Sequence, residues 1–93
     1  MTPGEIEERL EAFIRTQFAI APSDTRFSRS ALLFENGYVD SVGAVELLAF
    51  VQDTFGVVVP DEELFSDEFS TIEGIGTIIG RVTQRRVATA MQN

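Results

Sequence analysis

The chain of 93 residues has no cysteine, no histidine and no lysine; all seven of its basic residues are arginine. Without cysteine no disulfide can staple the fold, which fits a reducing cytoplasm, the compartment expected here. Without histidine or lysine, no serine has an evident general base, and a serine nucleophile needs one within hydrogen-bond reach. Catalysis by the bare chain is therefore not expected. No apolar run approaches the ~20 residues that span a bilayer, and the acidic start Met1-Thr2-Pro3-Gly4-Glu5 carries no signal-peptide pattern. The carboxylate runs Asp61-Glu62-Glu63 and Asp67-Glu68 lack the alternating ligands and central glycine of a calcium loop. They read as solvated surface, with no metal site.

What is present is acid, and it is confined. Net charge is −8. None of the arginines falls between Ala31 and Gly80. That window holds Glu35, Asp40, Glu46, Asp53, Asp61, Glu62, Glu63, Asp67, Glu68 and Glu73. Such a field repels nucleic acid and anionic lipid. It steers basic protein surfaces inward, most strongly at low salt.

The apolar residues repeat with a helical period. Thr2-Pro3-Gly4-Glu5 is a helix start, with Thr2 as cap, Pro3 at the first position and Glu5 closing a capping box. Ile6, Leu10, Phe13, Ile14 and Phe18 then share one face, predicting a helix over about 3–18. Residues 19–40 read as a long connection, punctuated by Pro22, Ser23-Asp24 and Asn36-Gly37, whose Phe27, Leu32, Leu33 and Phe34 pack across the bundle. A second helix is expected over about 41–55, with core residues Leu47, Leu48, Val51 and Phe55 and Gly56 to end it. Val57-Val58-Val59 has no partner strand and reads as an extended linker. Asp61 to Phe65 reads as a turn, and 66–69 as a short helix. Ser70-Thr71-Ile72-Glu73 reads as a second capping box for a last helix over about 71–87, with a frayed tail beyond it. Gly74, Gly76 and Gly80 weaken that helix, so packing must hold it. The expected whole is one all-α domain over 1–93, a small helical bundle and a monomer.

Ser41 is the residue to watch. With Asp40 as N-cap, Ser41 becomes the first helical residue and points outward, where free N–H groups and the helix dipole favour a negative group. Val42, Val45 and Ala49 form a second apolar line beside it, with Glu46 and Asp53 close by. A serine so placed, with no base, suits carrying a group better than attacking a substrate. The plainer alternative is that Asp40 and Ser41 only cap a helix, in an acidic helical protein–protein adaptor with no prosthetic group.

The run Leu33-Phe34-Glu35-Asn36-Gly37-Tyr38-Val39-Asp40-Ser41-Val42, continued through Val45-Glu46-Leu47-Leu48 to Phe55-Gly56, resembles the acyl carrier protein family, including its aminoacyl, peptidyl and D-alanyl carriers. The likeness spans roughly Ile6 to Val82. Two positions depart from the family pattern: Val42 stands where leucine is usual, and Gly43 sits where a stronger helix former is expected. The resemblance implies a four-helix bundle with a short third helix. It implies 4′-phosphopantetheine, taken from coenzyme A by a phosphopantetheinyl transferase and joined to Ser41, with Asp40 helping to place the helix start. The thiol of that arm would hold an acyl or aminoacyl group. Val42, Val45, Glu46, Ala49 and Asp53 would be read by loading enzymes and by downstream synthases or transferases with basic docking surfaces. The approach to Ser41 looks nearer to carriers of specialised biosynthetic pathways than to the fatty-acid type.

Overall fold

The structure, a computed structural model, describes the backbone of residues 1–92 and the side chains of residues 1–85. The last helix runs past its expected end near residue 87 to Gln92, so helical backbone stands where a frayed tail was expected, since no glycine or proline follows Gly80 to stop it. Four α-helices follow one another: α1 (Pro3–Gln17), α2 (Ser41–Phe55), α3 (Asp61–Leu64) and α4 (Ile72–Gln92), with a 3₁₀ turn at Asp67–Ser70 between the last two. No strand occurs among the described residues. None of the described helices is long and apolar enough to cross a membrane.

The helices start where side chains can satisfy free backbone donors. The Glu5 N–H donates to Thr2 Oγ1 at 3.2 Å, and the Thr2 hydroxyl donates to the Glu5 carboxylate at 3.0 Å. At α4 the structure moves the expected cap by one residue. Thr71, extended at φ −130°, accepts from the Gly74 N–H at 2.9 Å, and Ser70 belongs to the preceding 3₁₀ turn. The short helix expected over 66–69 is present as the 3₁₀ turn at Asp67–Ser70, and α3 at Asp61–Leu64 is a further helix where the sequence suggested a turn. Pro60 supplies the extended entry at φ −63°, and the carboxylates of Asp61, Glu62 and Glu63 suit the positive end of a helix.

One core joins these elements. Ile6, Leu10 and Ile14 of α1 meet Leu47 and Val51 of α2, and Ile72, Ile75, Ile78 and Ile79 of α4. Val57 and Val59 alternate inward from the linker, leaving Val58 outside. Phe27, Leu33 and Val39 seal the core from the long connection, whereas Leu32 is 40% exposed and does not join it. Arg29 ties that connection at two points. Its Nε donates to Glu11 at 2.8 Å, and its carbonyl accepts from the Glu73 N–H at 3.0 Å.

The glycines of α4 divide by their surroundings. A Cβ on Gly74 would fall 1.8 Å from the Glu68 carbonyl oxygen, and one on Gly76 would fall 3.2 Å from Glu7 Cγ. At Gly80 nothing lies within 4 Å. Gly74→Ala must push backbone apart and is expected to lower unfolding free energy by about 1–3 kcal/mol. Gly80→Ala meets no obstacle and is expected to raise it by up to about 1 kcal/mol through helix propensity. Urea denaturation of the two variants checks the opposite signs.

Candidate functional site

The start of α2 is built from the loop that leads into it. The Leu33 carbonyl accepts from the Tyr38 N–H at 2.9 Å and the Val39 N–H at 3.1 Å, while the Leu33 N–H donates to the Ser70 carbonyl at 2.8 Å. Gly37 turns the chain at φ +79°, where a side chain would be strained. Buried Val39 then pins the residue next to Asp40.

A second latch was not visible in the sequence. Asp24 Oδ1 accepts from the Arg26 and Phe27 N–H groups, and Oδ2 accepts from the Tyr38 hydroxyl at 2.9 Å. Phe27 packs edge-on to Tyr38 at 5.3 Å, and the Arg15 guanidinium lies 4.7 Å from the Phe27 ring centroid. The only local signal was the Asp24 turn. Its partner lies 14 residues on.

Asp40 is extended at φ −100°, ψ −174°, and its Oδ1 accepts from the Gly43 N–H at 2.7 Å. Its carbonyl accepts from the Ala44 N–H at 2.8 Å, the first turn of α2. Ser41, one residue inside that cap, is exposed, and its hydroxyl makes no hydrogen bond among the described residues. Gly43, the awkward residue of the sequence, has a packing reason. A Cβ there would fall 2.7 Å from Phe18 Cε1 and 3.1 Å from Val39 Cγ1. Phe18 is thus seated against the first turn of α2.

At about 100° per residue, Val42, Val45, Glu46, Ala49 and Asp53 occupy an arc of about 100° on α2, and all five are exposed. Val42 and Val45 are 67% and 66% exposed, against complete burial of Leu47 and Val51 behind them. Glu46 has a neighbour that sequence reasoning missed: the Gln17 amide at the end of α1 donates to it at 2.6 Å. The acidic window is not uniform in space. Arg81 of α4 reaches Glu63 at 3.0 Å and Glu68 at 3.1 Å, pairing with two carboxylates that the linear sequence leaves unpaired. Glu35, Asp40, Glu46 and Asp53 have no ion pair among the described residues. No group of His, Cys, Asp and Glu able to hold a metal ion is found among them either.

Two consequences are measurable. Removing the cap, Asp40→Ala, is expected to cost about 1 kcal/mol, with Asp40→Asn nearly neutral; chemical denaturation distinguishes them. The latch titrates at both ends. Backbone donation from Arg26, then the Tyr38 hydroxyl, holds Asp24 below its ordinary 3.8. Desolvation, then Asp24, pushes the Tyr38 phenol above its ordinary 10.0. The Asp24 contribution is complete above 3.8 and lost as pH falls through the depressed value. The Tyr38 contribution is complete below 10.0 and lost as pH rises through the raised one. Thermal midpoints measured against pH should decline at both extremes, and Tyr38→Phe should remove its share of the alkaline decline.

Comparison with known proteins bears on this site. The sequence profile of the family described as "Phosphopantetheine attachment site" matches residues 8–79. Acyl carrier protein 2 of Ralstonia nicotianae is 35% identical over 82 residues, covering 88% of this chain and 93% of that protein. The D-alanyl carrier protein of Bacillus velezensis is 44% identical over 43 residues, covering 46% of this chain and 55% of that one. The acyl carrier protein of Thermosynechococcus vestitus is 29% identical over 75 residues, covering 81% and 88%.

Proposed function

The chain belongs to the phosphopantetheine attachment family of carrier proteins, and from that premise we propose that Ser41 is the residue to which its 4′-phosphopantetheine arm is joined. The observation that supports this most is the Ser41 hydroxyl itself, exposed and without a hydrogen bond one residue inside a capped helix start. The site suits a phosphodiester. The opening N–H groups of α2 and its dipole favour a negative group. Asp40, the nearest carboxylate in sequence, is occupied with the Gly43 N–H. Attachment forms a bond from Ser41 Oγ to phosphorus and breaks the pyrophosphate bond of coenzyme A. Adenosine 3′,5′-bisphosphate leaves, and the serine proton passes to a base of the transferase, since this chain has neither histidine nor lysine. The arm supplies a thiol, which a chain without cysteine otherwise lacks.

The protein then carries an acyl or aminoacyl group as a thioester, catalysing no step itself, and delivers it to partner enzymes of a specialised biosynthetic pathway. Both cargo classes have support: one relative is named an acyl carrier over most of this chain, and another a D-alanyl carrier over about half of it. Tethering raises the cargo's effective concentration at each partner. The exposed face with Val42, Val45, Glu46, Ala49 and Asp53 offers those partners a small apolar strip edged by carboxylates. Such a surface favours fast, steered, short-lived contacts.

The experiment is arm transfer from coenzyme A by a phosphopantetheinyl transferase, followed by intact mass. The wild-type chain is expected to gain one arm and Ser41→Ala none, with circular dichroism unchanged. A Ser41→Ala variant that still gains the arm, or that remains active in its pathway, contradicts the proposal. The second outcome favours an adaptor without a prosthetic group.

A further inference from the structure

Phe65 is 89% exposed, the most exposed large apolar side chain among the described residues. Every other phenylalanine of the chain lies in the core or packs against it. A ring left in water gains nothing from folding, since its burial is worth roughly 1.5–3 kcal/mol elsewhere. The backbone beneath it is held firmly. Arg81 grips Glu63 at 3.0 Å on one side of Phe65 and Glu68 at 3.1 Å on the other. The Phe65 N–H donates to the Asp61 carbonyl at 3.3 Å, and the Ser66 hydroxyl donates to the Glu63 carbonyl at 2.7 Å. The clamp consumes two carboxylates. Asp61, Glu62 and Asp67, on either side of Phe65 in the chain, stay exposed, with no ion pair among the described residues.

Resting on the carrier reading above, we propose that Phe65, displayed by the Arg81 clamp, is an anchor for the phosphopantetheinyl transferase and inserts into an apolar pocket rimmed by basic residues. Charge complementarity supports this occupant. An enzyme that holds coenzyme A must neutralise its phosphates, so the surface around its cleft is cationic. Asp61, Glu62 and Asp67 present the matching sign on the segment that carries the apolar ring. α2 supplies a first apolar contact at Val42 and Val45, and its other flank is covered by α1, where Phe13 stacks on Phe50 at 4.1 Å. Phe65 supplies a second contact from a different element, and two separated contacts fix orientation as one cannot.

The test uses the full chain without its arm, coenzyme A and a phosphopantetheinyl transferase. Phe65→Ala is expected to raise the KM for the carrier about tenfold at unchanged kcat, the size of a moderate anchor, with Phe65→Leu intermediate. Because the ring is exposed, the thermal midpoint should stay at the wild-type value. Asp61→Asn with Glu62→Gln should raise KM at low salt, and the difference should vanish at high salt. A Phe65→Ala KM within about twofold of wild type overturns the proposal, as does an effect on kcat alone. So does an unchanged KM with wild-type self-association that Phe65→Ala abolishes, which assigns the ring to a second copy. Wild-type protein that accepts no arm removes the carrier reading as well. Normal arm transfer to both wild type and Phe65→Ala removes only the anchor.

Discussion

The Asp40 carboxylate on the Gly43 N–H is the contact on which the site depends. It decides where α2 begins, and that decides which way Ser41 points. At about 100° per residue, a start one residue later would leave Ser41 outside the helix. The energy involved, about 1 kcal/mol, is small beside the core. Its consequence for geometry is large, and the surroundings protect it. Val39 is buried beside Asp40, the Leu33 carbonyl takes two N–H groups from the approach, and Phe18 occupies the space above Gly43 that a side chain would need.

The rest of the fold separates a rigid scaffold from a legible surface. α1 and α4 contribute half of the buried aliphatic side chains among the described residues, while α2 turns one edge inward and leaves Val42 and Val45 in solvent. Arginines hold elements together more than they decorate them: Arg29 joins the long connection to α1 and α4, and Arg81 joins α3 and the 3₁₀ turn to α4. Carboxylates left over from these pairs define the acidic face. Exposed ion pairs contribute little to stability, so the value of this arrangement lies in which charges remain available.

Local signals were readable in the sequence, and distant ones were not. Thr2, Asp40 and Gly56 mark helix ends because each acts on a backbone group within four residues. The sequence points to Ser70 as the cap of α4 because Ser70 and Thr71 are chemically alike; the 3₁₀ turn that holds Ser70, its carbonyl taken by the distant Leu33 N–H, leaves the role to Thr71. α3 was read as a turn because its four residues are too few to show a period. Partners 13 to 18 residues apart, such as Arg81 with Glu63 and Glu68 or Tyr38 with Asp24, left no trace in the linear pattern. Gly43 looks like a flaw in the sequence because its reason, the ring of Phe18, sits just past the end of α1, 25 residues earlier in the chain. The candidate serine was legible for the opposite reason: cap, hydroxyl and apolar line are all contiguous.

The central claim is that one hydroxyl, fixed outward by the cap of α2, is where the arm is joined. Fragmentation mass spectrometry of the arm-bearing protein locates the phosphodiester directly. The account predicts that it maps to Ser41 alone. A phosphodiester on Ser23, Ser28, Ser30, Ser66, Ser70 or any threonine would contradict it.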